Sequence, residues 1–94
     1  MDYIIPWKEQ QIESIELIKL YQFEKDLILQ IKICNEAFQI MLTKYESYIS
    51  QSNILMIYRI EQIIKKMVNN NYQRNYNLKL IQKVISEKEE FVIG

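Results

Sequence analysis

A chain of 94 residues suffices for one small domain, which at this size buries only about 60–65% of the surface its unfolded form exposes. Twelve Lys+Arg against twelve Asp+Glu leave no net charge, so the overall basic footprint of a general nucleic-acid or anionic-membrane binder is missing. Histidine is absent and the one glycine is Gly94, which excludes Ser-His-Asp and Cys-His catalysis, Cys/His zinc sites and Gly-rich phosphate loops. The sequence therefore predicts a non-enzyme without cofactor or metal.

The opening Met1-Asp2-Tyr3 carries neither a basic nor an apolar leader pattern, and the longest apolar run is Ile54–Tyr58. No signal peptide or membrane-inserted helix is expected. Cys34 has no partner for an internal disulfide and the chain lacks an Asn-x-Ser/Thr site, which favours an intracellular setting. The segment Tyr3, Ile4, Ile5, Trp7, which flanks the only proline, Pro6, resembles in composition an anchor for a partner's groove, because aromatic residues are enriched at interface cores. Packing onto its own bundle is the ordinary alternative.

Between Trp7 and Ile93 there is no glycine or proline to break a helix, and the fold class is all-α. Ile31, Cys34, Phe38, Met41, Tyr45 and Tyr48 recur at spacings of three and four, which draws one seam along a helix. Leu17, Leu20 and Leu27 continue it upstream, and Pro6 with Glu9, Glu13 and Glu16 suits the positive N-terminal end of a helix dipole. A long first helix is predicted over about 7–49. Cys34 falls on its seam as a small buried residue.

The polar cluster 50–53 turns the chain, with Ser52 or Asn53 positioned to cap a second helix over about 53–68 whose seam is Ile57, Ile60, Ile64 and Met67. Glu61 and Lys65 have the spacing of an i,i+4 pair. The stretch 69–77, NNNYQRNYN, reads as a connector because asparagine competes for backbone hydrogen bonds. A helical alternative places Asn71 and Arg74 on the seam between Met67 and Leu78. A third helix follows over about 75–86 on Leu78, Ile81 and Ile85, with fraying expected where Glu87, Glu89 and Glu90 oppose the dipole and "FVIG" trailing beyond.

Composition is skewed toward Ile, Lys, Asn and Tyr, the mark of an AT-rich coding sequence, which discounts arguments from Asn or Lys frequency. Charge is nonetheless polarised. Residues 1–30 are acidic on balance, while residues 59–83 carry Arg59, Lys65, Lys66, Arg74, Lys79 and Lys83 against Glu61.

Apolar residues exceed what one seam needs: Ile15, Ile18, Leu29, Ile33 and Ile40 form a second line on the first helix. The architecture is then a helical hairpin or a three-helix bundle with a long first helix. Its predicted task is coiled-coil-like contact with protein partners or with further copies of itself, as a small accessory or structural subunit. Tyr3, Ile4, Ile5, Trp7, Phe38, Tyr45 and Tyr48 are the candidate anchors.

Two alternatives accompany this reading. One is a helix-turn-helix-like nucleic-acid module over 59–83, in which Tyr72, Gln73, Arg74, Asn75 and Asn77 face bases while Lys65, Lys66, Lys79 and Lys83 face phosphates. The other is a small inhibitor or immunity-type protein that occludes one target.

Overall fold

The computed structural model describes residues 1–93 and is all-helical: α1 spans Glu9–Glu13, α2 Leu17–Ser50 and α3 Ile54–Ile93. α2 and α3 pack side by side as an antiparallel hairpin, 61 × 19 × 15 Å overall, with α1 folded back against α3. Among the described residues no third long helix covers the hairpin. Among the described residues no helix is long and apolar enough to cross a membrane.

The turn follows from backbone bookkeeping at the two helix ends. At the close of α2, Ser52 N–H donates to the Ile49 carbonyl and Asn53 N–H to the Tyr48 carbonyl, both at 3.0 Å. This is the paired capping pattern that normally ends on a left-handed glycine. Ser52 takes that place at φ 55°, a conformation that costs a non-glycine residue about 1 kcal/mol. Asn53 then opens α3, its Oδ1 accepting from Met56 N–H at 3.3 Å, so the cap expected of Ser52 or Asn53 belongs to Asn53.

The expected first helix over 7–49 is interrupted. Ser14 ends α1 with its hydroxyl donating back to the Gln11 carbonyl at 2.8 Å, and Glu16 restarts the chain in an extended conformation at ψ 143°. Before the break α1 packs against α3, and Ile12 and Leu20 are both fully buried in one core. The Ile15 carbonyl freed at the kink accepts from the Lys88 ammonium.

A larger correction concerns 69–77. This stretch is no connector: α3 runs through it unbroken, and the separate helices expected over 53–68 and 75–86 are one helix. The asparagine propensity penalty is a few tenths of a kcal/mol per residue. It is outweighed because Met67, Asn71, Arg74 and Leu78 keep the seam turned toward α2, each half-buried. Nor does α3 fray at 86. Val84 and Ile85 are buried, and Lys88 and Glu89 bond to Ile15 and Tyr21, which holds the last turns in place despite the acidic residues there. Of "FVIG", Phe91 and Val92 are helical and exposed, and Gly94 lies outside the described residues.

The core sits at the end away from the turn, built from Trp7, Ile12, Leu20, Leu27, Ile81, Val84 and Ile85. Toward the turn, buried side chains thin out to Ile60.

Candidate interaction surface

Residues 1–8 form a strap across the core end of the hairpin, its backbone clasped by one side chain. Asn77 is fully buried: its Oδ1 accepts from Trp7 N–H at 2.9 Å, and its Nδ2 donates to the carbonyls of Tyr3 at 2.9 Å and Ile5 at 2.8 Å. Three of its four hydrogen-bonding positions are thus spent on strap backbone. The Trp7 indole stacks obliquely between Tyr3 and Phe23, with ring centroids 5.6 and 6.2 Å away, and its Nε1 donates to the Asp2 carbonyl at 2.8 Å.

Two predicted roles change accordingly. Trp7 is 5% exposed and fills this chain's own core, so it is not offered to a partner. Asn77, expected among base-reading residues, is instead the clasp of the strap. Of the remaining strap anchors, Ile4 and Ile5 stay exposed and Tyr3 is half-buried.

Phe38, Tyr45 and Tyr48 lie half-buried on the α2 face that meets α3. Tyr45 donates to Glu61 at 2.9 Å. Among the described residues Glu61 has this partner and not the expected Lys65. Phe38 lines a groove of about 240 Å³ shared with Cys34, Asn35, Met67, Val68 and Asn71.

The basic residues of 59–83 do not come together as a helix-turn-helix, because α3 has no turn there. Gln73 and Arg74 are drawn half into the hairpin, and Lys83 is held by Glu9 at 3.0 Å and Glu87 at 4.0 Å. Lys65, Lys66, Tyr72, Asn75 and Lys79 remain exposed along the helix. Glu9, Glu13 and Glu87 bring carboxylate oxygens within 4.8 Å of one another, and the Lys83 ammonium supplies the local counter-charge.

The apolar surplus has a definite location. Ile18, Leu29 and Ile40 lie on the side of α2 away from α3 and Ile33 at the edge of a cleft shared with Met67, Asn70 and Arg74, all four isoleucine and leucine side chains more than half exposed. A further column on α2, Tyr21, Ile28, Asn35, Leu42 and Ile49, recurs at a strict period of seven, and its central Asn35 lines the groove. Sequence reading overlooked it because the neighbouring seam of threes and fours dominates the pattern; the repeat of seven was its signal. Near its middle Asn71 Nδ2 donates to Asn35 Oδ1 at 3.0 Å across the two helices.

Comparison with family models, with curated protein sequences and with solved structures finds no match. The functional reading rests on this surface alone.

Three phenols tie the elements together and respond to pH in the same sense. Burial, reinforced by the 3.0 Å hydrogen bond to Asp26, pushes the Tyr3 hydroxyl up to about 12. Hydrogen bonds to Glu89 and Glu61 raise those of Tyr21 and Tyr45. A phenol whose pKa is raised by folding binds its proton more tightly in the native state. Its stabilisation is complete below the unfolded value of about 10 and is lost as pH climbs toward 12. Chemical denaturation at pH 9, 10 and 11 is expected to show falling stability, with a shallower fall in Tyr3→Phe. An unchanged slope in that variant counts against the Tyr3–Asp26 contact.

Proposed function

We propose that this chain is a non-catalytic, intracellular helical interaction protein, a small structural or accessory subunit that works by burying its exposed apolar faces against other protein. One observation carries the reading: the line Ile18, Leu29, Ile33 and Ile40 runs along α2 uncovered, with no third long helix over it among the described residues. Such a line matches the stripe that a bundle helix turns inward, and it is costly to leave in water. The inhibitor-type alternative is a special case, in which the covered partner is one target.

A second reading, nucleic-acid binding, draws on Tyr58, Lys65, Tyr72 and Lys79, which succeed one another every seven residues on the exposed side of α3. Alternating phenols and ammonium groups offer stacking and phosphate contacts to a single strand. The absence of net charge across the chain weighs against it.

A photo-crosslinking amino acid at position 33, irradiated in the native cell, tests the first reading. A covalent adduct to polypeptide is the expected product. Adducts to nucleic acid alone, together with salt-sensitive oligonucleotide binding by the purified chain, would transfer the assignment to the second reading.

A further inference from the structure

Arg74 is a half-buried cation with no answering charge. Among the described residues both ion pairs belong to Lys83, and the Arg74 Nε is buried without a hydrogen-bond partner. Drawing a guanidinium partly out of water and leaving it unpaired costs folding free energy that nothing in the chain returns. Arg74 lines an open cleft of about 300 Å³ with Gln30, Ile33, Ala37, Met67 and Asn70, and no carboxylate shares that lining.

The cleft is one end of a longer face with the same chemistry. On α3, Arg59, Ile63, Lys66, Asn70 and Arg74 succeed one another at spacings of four, three, four and four, which sets them along one side of the helix for ~22 Å. On α2, Ile33, Ala37 and Lys44 repeat at four and seven, and the Tyr45–Glu61 hydrogen bond brings the Lys44 end of α2 level with the start of the α3 line. Lys44, Arg59, Ile63 and Lys66 are exposed. Cations thus alternate with aliphatic side chains, and neither line carries a carboxylate or an aromatic ring. Glu61, the only acidic residue of α3 between Arg59 and Lys83, is spent on Tyr45.

We infer that this face seats an acidic amphipathic helix of a partner protein, about four turns long, with an Asp or Glu carboxylate entering the mid-hairpin cleft to meet Arg74. The inference rests on the interaction reading above and gives the chemistry of its partner. Charge complementarity selects the occupant: arginine pairs with a carboxylate through two parallel N–H···O bonds, and the amides of Gln30 and Asn70 add donors beside it. Apolar residues of the partner, set between its carboxylates, meet Ile33 and Ile63 between the cations, and the exposed line of α2 continues past Ile33 to Ile40 and Leu29. A single nucleic-acid strand fits this face less well, because its bases stack on rings, and the exposed Tyr58 and Tyr72 stand on another side of α3. An anionic membrane surface is flat, whereas the site is a cleft between two helices.

The probe is a labelled helical peptide of ~15 residues with leucine and glutamate at helical spacing, compared by fluorescence anisotropy with its glutamine counterpart. The full chain is expected to bind the acidic peptide at least about tenfold more tightly than the glutamine peptide. Lys66→Gln with Arg74→Gln is expected to abolish that ratio while helical circular dichroism stays intact, and Lys65→Gln with Lys79→Gln, on the outer side of α3, is expected to keep it. An acidic peptide that fails to bind at about 1 mM, or binds no better than the glutamine peptide, overturns the acidic partner. Loss of the ratio through Lys65 and Lys79 in place of Lys66 and Arg74 overturns the face. A single-stranded oligonucleotide or phosphatidylserine vesicles that bind through Lys66 and Arg74 where the peptide does not overturn the helix as occupant. In each of these events a polypeptide adduct at position 33 leaves the interaction reading standing, and its absence removes both.

Discussion

Asn77→Leu is expected to destabilise the chain by about 3 kcal/mol and lower its melting temperature by roughly 12 °C or more. Leucine fills the volume but leaves Trp7 N–H buried without an acceptor and strips the donor from the carbonyls of Tyr3 and Ile5. Removing one partner of a buried hydrogen bond costs more than the bond's net worth, because the surviving group keeps its desolvation penalty. Trp7 is the only tryptophan, so thermal melts followed by its fluorescence read the strap directly. The variant's emission is expected to shift to the red below the helix melting temperature as the indole leaves Tyr3 and Phe23. Asn77→Asp separates hydrogen bonding from volume: it keeps the acceptor but sets a carboxylate against two carbonyls. Its carboxyl is then protonated more readily in the folded state, so the variant regains stability as pH falls below the neutral range. A loss under about 1 kcal/mol for Asn77→Leu would show that the strap is held by its aromatic contacts instead.

Leu27→Ala is expected to cost about 3–4 kcal/mol, whereas Ile64→Ala near the turn costs about 1–2 kcal/mol. Leu27 is completely buried in the cluster that unites Trp7 of the strap with Leu20, Ile81 and Val84, so its truncation leaves a cavity inside the core. Ile64 is half-buried between two helices, and water already reaches part of it. The same gradient should be visible in hydrogen exchange: amides around 20–27 and 78–85 open only with global unfolding, while those around 45–60 open at lower free energy. Uniform protection would contradict the uneven core.

The acidic front meets the basic rear at one ion pair, where Glu9 of α1 reaches Lys83 of α3 and the hydrogen bond to the carboxylate raises the ammonium pKa. Both partners are largely solvated, and exposed pairs of this kind contribute little stability. Their role is orientation: they set α1 on the correct side of α3 while Ile12 supplies the burial.

The sequence by itself determined the helical class, the turn at 50–53 and the seams. Each depends on local physics that the chain carries with it: no breaker between Trp7 and Ile93, capping side chains at the turn, and apolar residues at helical spacing. Ile31 to Tyr48 and Ile57 to Met67 face each other as their periods predict. Tertiary structure decided three things that local propensity cannot reach. Helix persists through 69–77 because the register of Met67, Asn71, Arg74 and Leu78 against α2 outweighs a small propensity cost summed over asparagines. Helix breaks at 14–16, where propensity raises no objection to continuing, and α1 turns onto α3 with Ile12 buried. Asn77 closes on the strap 70 residues away in sequence, and no neighbouring residue announces that partner. An asparagine has the same side chain whether it reads a base, caps a turn or clasps a strand of backbone; the partners that folding brings to it determine which.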